Sequence, residues 1–566
     1  MAGVNFWGEV AGLRRRLEAR LTPMLSTDRA ARTISFDALK QPLSPLFRDY
    51  FASRGKALDF YPLGFSREDM AKAAATTAAF AHPRAEVAEA LAQEQPEGSE
   101  ARTNAEALKD PRTLAVVTGQ QSVLFGGPLY VLYKALAAME LARLMSEQLK
   151  TKVVPVFWVA SDDHDFAEIR ATTMMDGNTE LQTLRYEPTE EPNLQPASTI
   201  ILDQTIDALA RSVRDLLPAS PWRDEVCEAL VAAYRPGLSI SGAFSKLLQH
   251  FLPGLVIMDP AVPKLKALMR PVIDREISEL SPTSRLAAGI GEKLLAAGYH
   301  QQVPVRATGF LNLFLVASGK RRALGVSEKG IEVRGGNQLM TKEELLAHIA
   351  ASPEDASPGV MLRPLAQDYL LPTIAYVGGP AEVAYHAQIG PSYAHFGIPR
   401  PVIFPRPSFS LVDAATARAM EAEGLSFEEL QTDTETLLAR AAREANPEVE
   451  RAFAASRTEI ENSFGRVEET LGKLDSTLRG AAQSALGRAL HQVEGLQEKA
   501  LRSMKRQDAT RAERMRRTRD FIFPGGSLQE RGVSWISLLA KYGPPIIDDI
   551  RRNMDPWAKG HQVLPI

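Results

Sequence analysis

Two short apolar runs, each emptying polar residues into a turn, constrain this chain more than any other feature. LAVVT (Leu114 to Thr118) is β-branched, too short for a helix and stopped by Gly119. Gln120, Gln121 and the pair Gly126-Gly127 follow, and Pro128 opens the helical pattern YVLYKALAAMELARLM. A second run, Val153 to Ala160, ends in Ser161-Asp162-Asp163-His164-Asp165-Phe166. Strand, glycine turn, helix, strand and polar cluster predict a right-handed βαβ unit with its chemistry at the strand C-termini.

Further segments extend that unit. GLVIMDP (Gly254 to Pro260) is an apolar strand ending in an aspartate, as a parallel sheet supplies. LLPTIAYVGGP (Leu370 to Pro380) repeats the strand and glycine turn and leads into the helix AEVAYHAQIGPSYAHFG. PVIFPRPSFS (Pro401 to Ser410) closes the series with a short strand and a polar turn. Leu311 to Val326 reads as a β-hairpin turning at Ser318-Gly319, and patches of alternation in Thr172 to Gln204 suggest a small β insertion. At 566 residues the chain exceeds what one core supports, so two or three domains are expected. We expect an α/β protein: a mainly helical, alanine-rich segment over 1–110, then a Rossmann-like parallel sheet over 111–425 with insertions at about 172–250 and 285–360.

The remainder changes character. Ile460, Phe464, Val467, Leu471, Leu474 and Leu478 recur in alternating steps of four and three, a heptad seam with charged residues between. Asn446-Pro447 suits a helix start. A second helical run carries Leu490, Val493, Leu496, Ala500 and Met504. Either the Gly480 region bends the two into an antiparallel pair or one long helix passes through. The expected arm covers 426–520 and forms a homodimer, with 521–566 as a tail packing back on the core.

Sixty-six basic and 69 acidic residues leave a net charge of −3, which gives no global reason to bind nucleic acid. A single cysteine, Cys227, excludes an intramolecular disulfide and a Cys-rich zinc site, and its helical surroundings predict a buried, inert thiol. The opening MAGVNFWGEVAGLRRRLEAR lacks an apolar signal core, and no run of about 18 apolar residues occurs. A soluble, cytoplasmic protein is expected.

No P-loop, dinucleotide fingerprint or H-E-x-x-H is written in the chain; Gly289-Ile290-Gly291 lacks the third glycine. Thr118, Gly119, Gly127, Tyr130 and Lys134 nevertheless surround a strand end and a helix N-terminus, where free amides and the macrodipole would favour a phosphate or carboxylate. Gln120 and Gln121 add uncharged donors. Lys134 has the plainer alternative of a solvated helix face. In the second turn, Asp162, Asp163, Asp165 and His164 repel one another unless a cation or a substrate amine joins them, with Ser161 beside them. A hard divalent ion such as Mg²⁺ carried by ATP would suit those oxygens, and a helix cap is the bland reading. Tyr376, Gly378 and Gly379 belong to the repeated strand and turn, and Glu382, Tyr385 and Gln388 fall three apart on its helix. His386 points to another side and reads as core or surface. Arg406 and Ser408 follow the last strand, where a basic loop would meet phosphate or pair with the helical arm.

Taken together, TGQQSVLFGGPLYVLYK, PVFWVASDDHDFAEI, RPLAQDYLLPTIAYVGGPAEVAYHAQ, HFGIPRPVIFPRPSFSLVD and FPGGSLQERG resemble the cysteine-adding enzyme family of bacillithiol biosynthesis, over about 110 to 535. The resemblance implies a Rossmann-like core of the class I aminoacyl-tRNA synthetase and nucleotidyltransferase type, with connecting insertions and a C-terminal α-helical coiled coil. It further implies a ligase that joins cysteine to glucosaminyl malate by an amide bond, with ATP as co-substrate and no bound organic cofactor. Alternatives are a related ligase using another amino acid or amine, and a metabolite-binding pseudo-enzyme that recruits partners through its coiled coil. The H-x-G-H signature of the wider superfamily is absent, with Gln120 and Gln121 at the matching turn, and Arg406 and Ser408 stand where a K-M-S-K-S-like run would fall. On this resemblance Gln120, Gln121, Asp163, His164 and Asp165 are the candidate catalytic residues. Thr118, Gly119, Gly127, Tyr130, Lys134, Ser161, Asp162, Tyr376, Gly378, Gly379, Glu382, Tyr385, Gln388, Arg406 and Ser408 are the candidate binding residues.

Overall fold

The computed structural model describes residues 31–304, 309–336, 338–507 and 509–566, so the helical expectation for residues 1–30 lies outside the described residues. The chain divides into two compact units, one formed by residues 1–412 with 529–566 and the other by 413–528.

The first unit is built on five parallel strands: β1 (Leu114–Gln120), β2 (Val153–Val159), β3 (Val256–Met258), β4 (Thr373–Gly378) and β5 (Val402–Pro405). They lie in the order β5-β4-β1-β2-β3. β2 is buried along its whole length, as is β4, so their continuous apolar runs are what a sheet covered on both faces demands. The 21-residue helix α1 (Leu129–Leu149) connects β1 to β2 and buries most of its residues. α2 (Arg363–Leu370) leads into β4, and α3 (Pro380–Phe396) leaves it. From β1 the chain order runs outward through β2 and β3, whereas β4 and β5 were added on the other side. The order therefore reverses between β1 and β4, the place where open α/β sheets leave a crevice at their strand C-termini.

The predicted hairpin forms strands Phe310–Ala317 and Lys320–Ser327, inside a five-stranded antiparallel sheet completed by Gly330–Val333, Leu339–Met340 and Ala356–Pro358. Ser318 and Gly319 both have positive φ (52° and 72°), the geometry a two-residue hairpin turn requires. The β insertion after the acidic turn is the pair Ala171–Met175 and Leu181–Arg185. PVIFPRPSFS departs from its reading as one strand and a turn. β5 ends at Pro405, and Ser408–Val412 joins a second sheet beside His561–Pro565 and Arg32–Ile34. Prolines at 405 and 407 donate no ladder hydrogen bond, so the strand cannot continue in one sheet and steps into the next.

In the second unit, α4 (Pro447–Leu474) and α5 (Leu478–Gln507) pair antiparallel. Arg457 meets Gln497, Gln497 meets Glu450, and Gln483 meets Glu468. The bend lies at Asp475–Thr477, where the Asp475 carboxylate accepts the Thr477 amide, and Gly480 is inside α5. Pairing within the chain covers the seam only in part. Val467 and Leu474 remain 47% and 79% exposed, and α4 buries no residue.

Among the described residues no helix is long and apolar enough to cross a membrane. Cys227 is buried and its thiol is pushed up by burial, which keeps it protonated and unreactive.

Candidate active site

The crevice between β1 and β4 holds a cavity of about 410 Å³. β1 brings Gly119 and Gln120, β2 brings Trp158, and β4 brings Tyr376, each at or near its C-terminal end. Gly119 is required by close packing, since a Cβ there would lie 2.8 Å from the Trp158 carbonyl oxygen on the neighbouring strand. The following turn is closed by the C-terminal segment. Trp535 Nε1 donates to the Gly126 carbonyl at 2.9 Å, and a Cβ on Gly126 (φ 82°) would strike the indole at 2.5 Å.

Lys134 from α1 is not on a solvated face. It is buried, and its three protons meet the Gly119 carbonyl (2.7 Å), the Gln120 side-chain oxygen (2.9 Å) and the Glu382 carboxylate. Glu382 from α3 also accepts the Tyr376 hydroxyl (2.7 Å) and the Gly379 amide (2.8 Å). Burial pulls the Lys134 ammonium below its ordinary value, and the adjacent carboxylate works against that shift. Burial likewise opposes ionisation of Glu382, but Lys134 and the two other donors outweigh it and hold the carboxyl below its usual range. Three acceptors around Lys134 and three donors around Glu382 suit a charged pair.

Gln121 bridges the two turns, its amide donating to Asp163 (2.6 Å) and Glu168 (2.9 Å). Tyr130, Asp163, Tyr385 and Arg406 complete the predicted residues on the cavity wall, with Gly119, Gly379 and the side chains above. Trp158, Arg363 and Arg531 also line it and were not among the sequence candidates. Arg363 and Arg531 stood inside the quoted blocks RPLAQDYL and FPGGSLQERG, which was the available signal.

Several candidates do not line the cavity. The acidic turn is not one cluster, because its carboxylates part toward three different partners. Asp162 pairs with the buried Lys266 (2.5 Å), which also donates to the Ala356 carbonyl. Asp165 caps the short helix Phe166–Ile169 by accepting the Glu168 amide. Only Asp163 faces the cavity. Ser161 donates to the buried Asp259. His164 sits beside Arg321, whose guanidinium donates to Nδ1 at 3.0 Å. A guanidinium cannot accept, so the imidazole proton is on Nε2, and burial followed by the Arg321 charge lowers the ring's pKa and favours its neutral form. Among the described residues no three His, Cys, Asp or Glu side chains converge as metal ligands.

The glycine turn offers no free amide at Gly126, Gly127 or Leu129. Its amides are taken by protein acceptors: Gly126 by Val123, Gly127 by Leu124, and Leu129 by Val533. Gly127 therefore shapes the turn, and Thr118 ties β1 to β4 through the Val377 carbonyl (2.8 Å). The Gly378 carbonyl accepts the Arg406 amide. Gln388 is fully buried and holds the amides of Gln302 and Val303. Among the described residues Arg406 and Ser408 form no loose basic loop, because both are tied to Glu530. Arg406 makes a buried bidentate pair with Glu530 (2.6 and 2.9 Å), and Ser408 donates to the same carboxylate. His386, read as core or surface, is in the core, its ring stacked on Tyr385.

A parallel sheet whose crevice gathers a carboxylate, amides, phenols and guanidinium groups around one cavity defines a Rossmann-like enzyme. Residues 31–407 match the family described as the N-terminal Rossmann-like domain of bacillithiol biosynthesis BshC, and residues 409–566 match its C-terminal coiled-coil domain. Relatives named "Putative cysteine ligase BshC" include that of Salinibacter ruber, 34% identical over 530 residues, covering 92% of this chain and 96% of the relative. That of Koribacter versatilis is 34% identical over 511 residues, covering 89% and 94%. The chain belongs to the BshC family of bacillithiol biosynthesis and is a ligase.

Proposed function

We propose that this protein joins cysteine to the amine of glucosaminyl malate, with ATP as co-substrate, in the cytoplasm and as a homodimer through its coiled coil. The observation that carries the reading is the cavity itself: Asp163 and Gln121 from the two turns, Arg363 from α2 and Tyr385 from α3 face a single space large enough for small polar substrates. An amide bond forms when an uncharged amine attacks an activated carboxyl. ATP activates cysteine by taking its carboxylate onto the α-phosphorus with loss of pyrophosphate, and the amine then displaces AMP.

In this scheme Asp163 accepts the proton that the substrate ammonium loses to become the attacking amine, and the Gln121 amide holds Asp163 in place. His164, held by Arg321 and away from the cavity wall, supports Asp163 and does not touch substrate. Tyr385 is kept protonated by burial, and its oxygen already accepts from Arg363 (3.0 Å), so its own proton is available to a substrate oxygen. Lys134 has all three protons occupied and acts by holding Glu382 and the β1 terminus. The test is incubation of purified protein with ATP, cysteine and glucosaminyl malate, followed by mass spectrometry. The expected products are the cysteinyl amide and AMP. Amide formed with ADP would change the activation step, and absence of amide under all nucleotide conditions would overturn the reading.

A further inference from the structure

Three buried or half-buried cations line the inner part of the cavity, and two of them have a carboxylate of this chain. Lys134 has Glu382 and Arg406 has Glu530. Arg363 has neither. Among the described residues its hydrogen-bond partners are the neutral Gln367 side-chain oxygen (3.0 Å) and the Tyr385 hydroxyl (3.0 Å). Its remaining surroundings are ring faces, with the guanidinium carbon 5.9 Å from the Trp158 ring centre and 5.6 Å from that of Tyr376. Glu382 attracts it electrostatically, but the oxygens of that carboxylate are held by Lys134, Tyr376 and Gly379.

Its place in the helix also suits an anion beside it. Arg363 is the first residue of α2, where the helix macrodipole is positive and prefers an acidic side chain. The guanidinium is open to the cavity and among the described residues donates to no carboxylate, because Glu382 and Asp368 act on it only through space, so its fork keeps donor capacity for an arriving anion. Its planar fork suits a carboxylate, which it can grip with two parallel hydrogen bonds, and the flanking aromatic faces keep the fork oriented. The Tyr385 hydroxyl beside it offers a third donor to the same group.

We propose that Arg363 is the carboxylate receptor of the cavity, taking a carboxylate of a substrate in a bidentate pair. The proposal rests on the ligase reading only for which substrate brings that carboxylate: the malyl group of the acceptor or the α-carboxylate of cysteine. Arg531, also on the wall, is exposed, so water can solvate its charge.

The experiment is titration calorimetry of the full-length protein with L-malate, L-cysteine and inorganic phosphate separately, in wild type, Arg363→Gln and Arg363→Lys. Wild type is expected to bind at least one of the two carboxylates, and Arg363→Gln to weaken it about tenfold or more, the scale of a lost charge-assisted pair. Which of the two weakens identifies the source. Arg363→Lys keeps the charge without the fork and should fall between, so it reads the proposal even where the glutamine variant melts early. Unchanged carboxylate binding in both variants, no carboxylate binding by the wild type, or weakening of phosphate alone would each overturn it. The ligation assay separates the two readings. If no amide forms while malate binding still depends on Arg363, the ligase reading fails and the receptor stands. If Arg363→Gln ligates with unchanged KM for both carboxylate substrates, the receptor fails and the ligase stands.

Discussion

Lys134 and Glu382 meet across the switch point of the sheet, one from the helix after β1 and the other from the helix after β4. Each belongs to a strand, glycine turn and helix of the same design, and their ion pair joins the two designs at the base of the cavity. The lysine is 2% exposed and satisfied by three acceptors, so the pair is a structural tie beneath the substrate space.

Removing one partner should be costly. Glu382→Gln leaves a buried ammonium facing a neutral amide and is expected to destabilise the protein by about 3–5 kcal/mol. Lys134→Met combined with Glu382→Gln should recover part of that loss, because the uncompensated charge is gone. Urea unfolding of the two single variants and the double variant checks this, and additive losses would show that the two side chains are not coupled.

The carboxylates of the acidic turn should separate in their effects. Asp163→Asn is expected to lower kcat by roughly 100- to 10,000-fold, the range of a lost general base, with the fold intact by circular dichroism. Asp165→Ala removes a helix cap worth about 1 kcal/mol and should reduce turnover far less. Equal losses in the two variants would remove the distinction between a base and a cap.

A pH effect follows from His561, which lies buried between Ser408 and Ser410 beside Glu530. Burial lowers its pKa from 6.5 to about 4, and the nearby carboxylate does not compensate. Between those values the unfolded chain binds a proton that the folded protein does not, so stability is present above pH 6.5 and is lost as pH falls toward 4. The loss should reach about 3 kcal/mol. His561→Gln should flatten this part of the profile relative to wild type in urea unfolding at about pH 7 and about pH 4.5. His82, also lowered to about 4 by burial, contributes equally to both proteins and cancels in the comparison.

The coiled coil should carry a dimer contact on the apolar residues that its own hairpin leaves open. Sedimentation at micromolar concentration is expected to show twice the chain mass of 61.9 kDa. Val467→Glu with Leu474→Glu should yield monomers without loss of helicity, because both side chains are exposed in the single chain. A wild-type species of one chain mass would exclude a stable dimer.

What could be read in the sequence was what depends on neighbours along the chain. LAVVT and VVPVFWV announce buried strands by β-branching and length, Ser318-Gly319 announces a tight turn, and the alternating steps of four and three from Ile460 announce a helix with an apolar stripe. The turns that hold the cavity were visible for the same reason, since glycine and polar residues gathered where each strand stopped. Tertiary structure alone decided which charges met. Asp162, Asp163 and Asp165 are adjacent in sequence, yet packing gives them a lysine 104 residues away, a glutamine 42 residues back and a local cap. Arg406 looked like a free cation until Glu530, 124 residues later, closed on it, and only the assembled fold showed that Glu382 is held by Lys134, Tyr376 and Gly379 and not by Arg363. Periodicity records how much of a side chain is buried, which is a local property of helix and strand. Ion pairing depends on distances across the fold, and those exist only after the sheet has assembled.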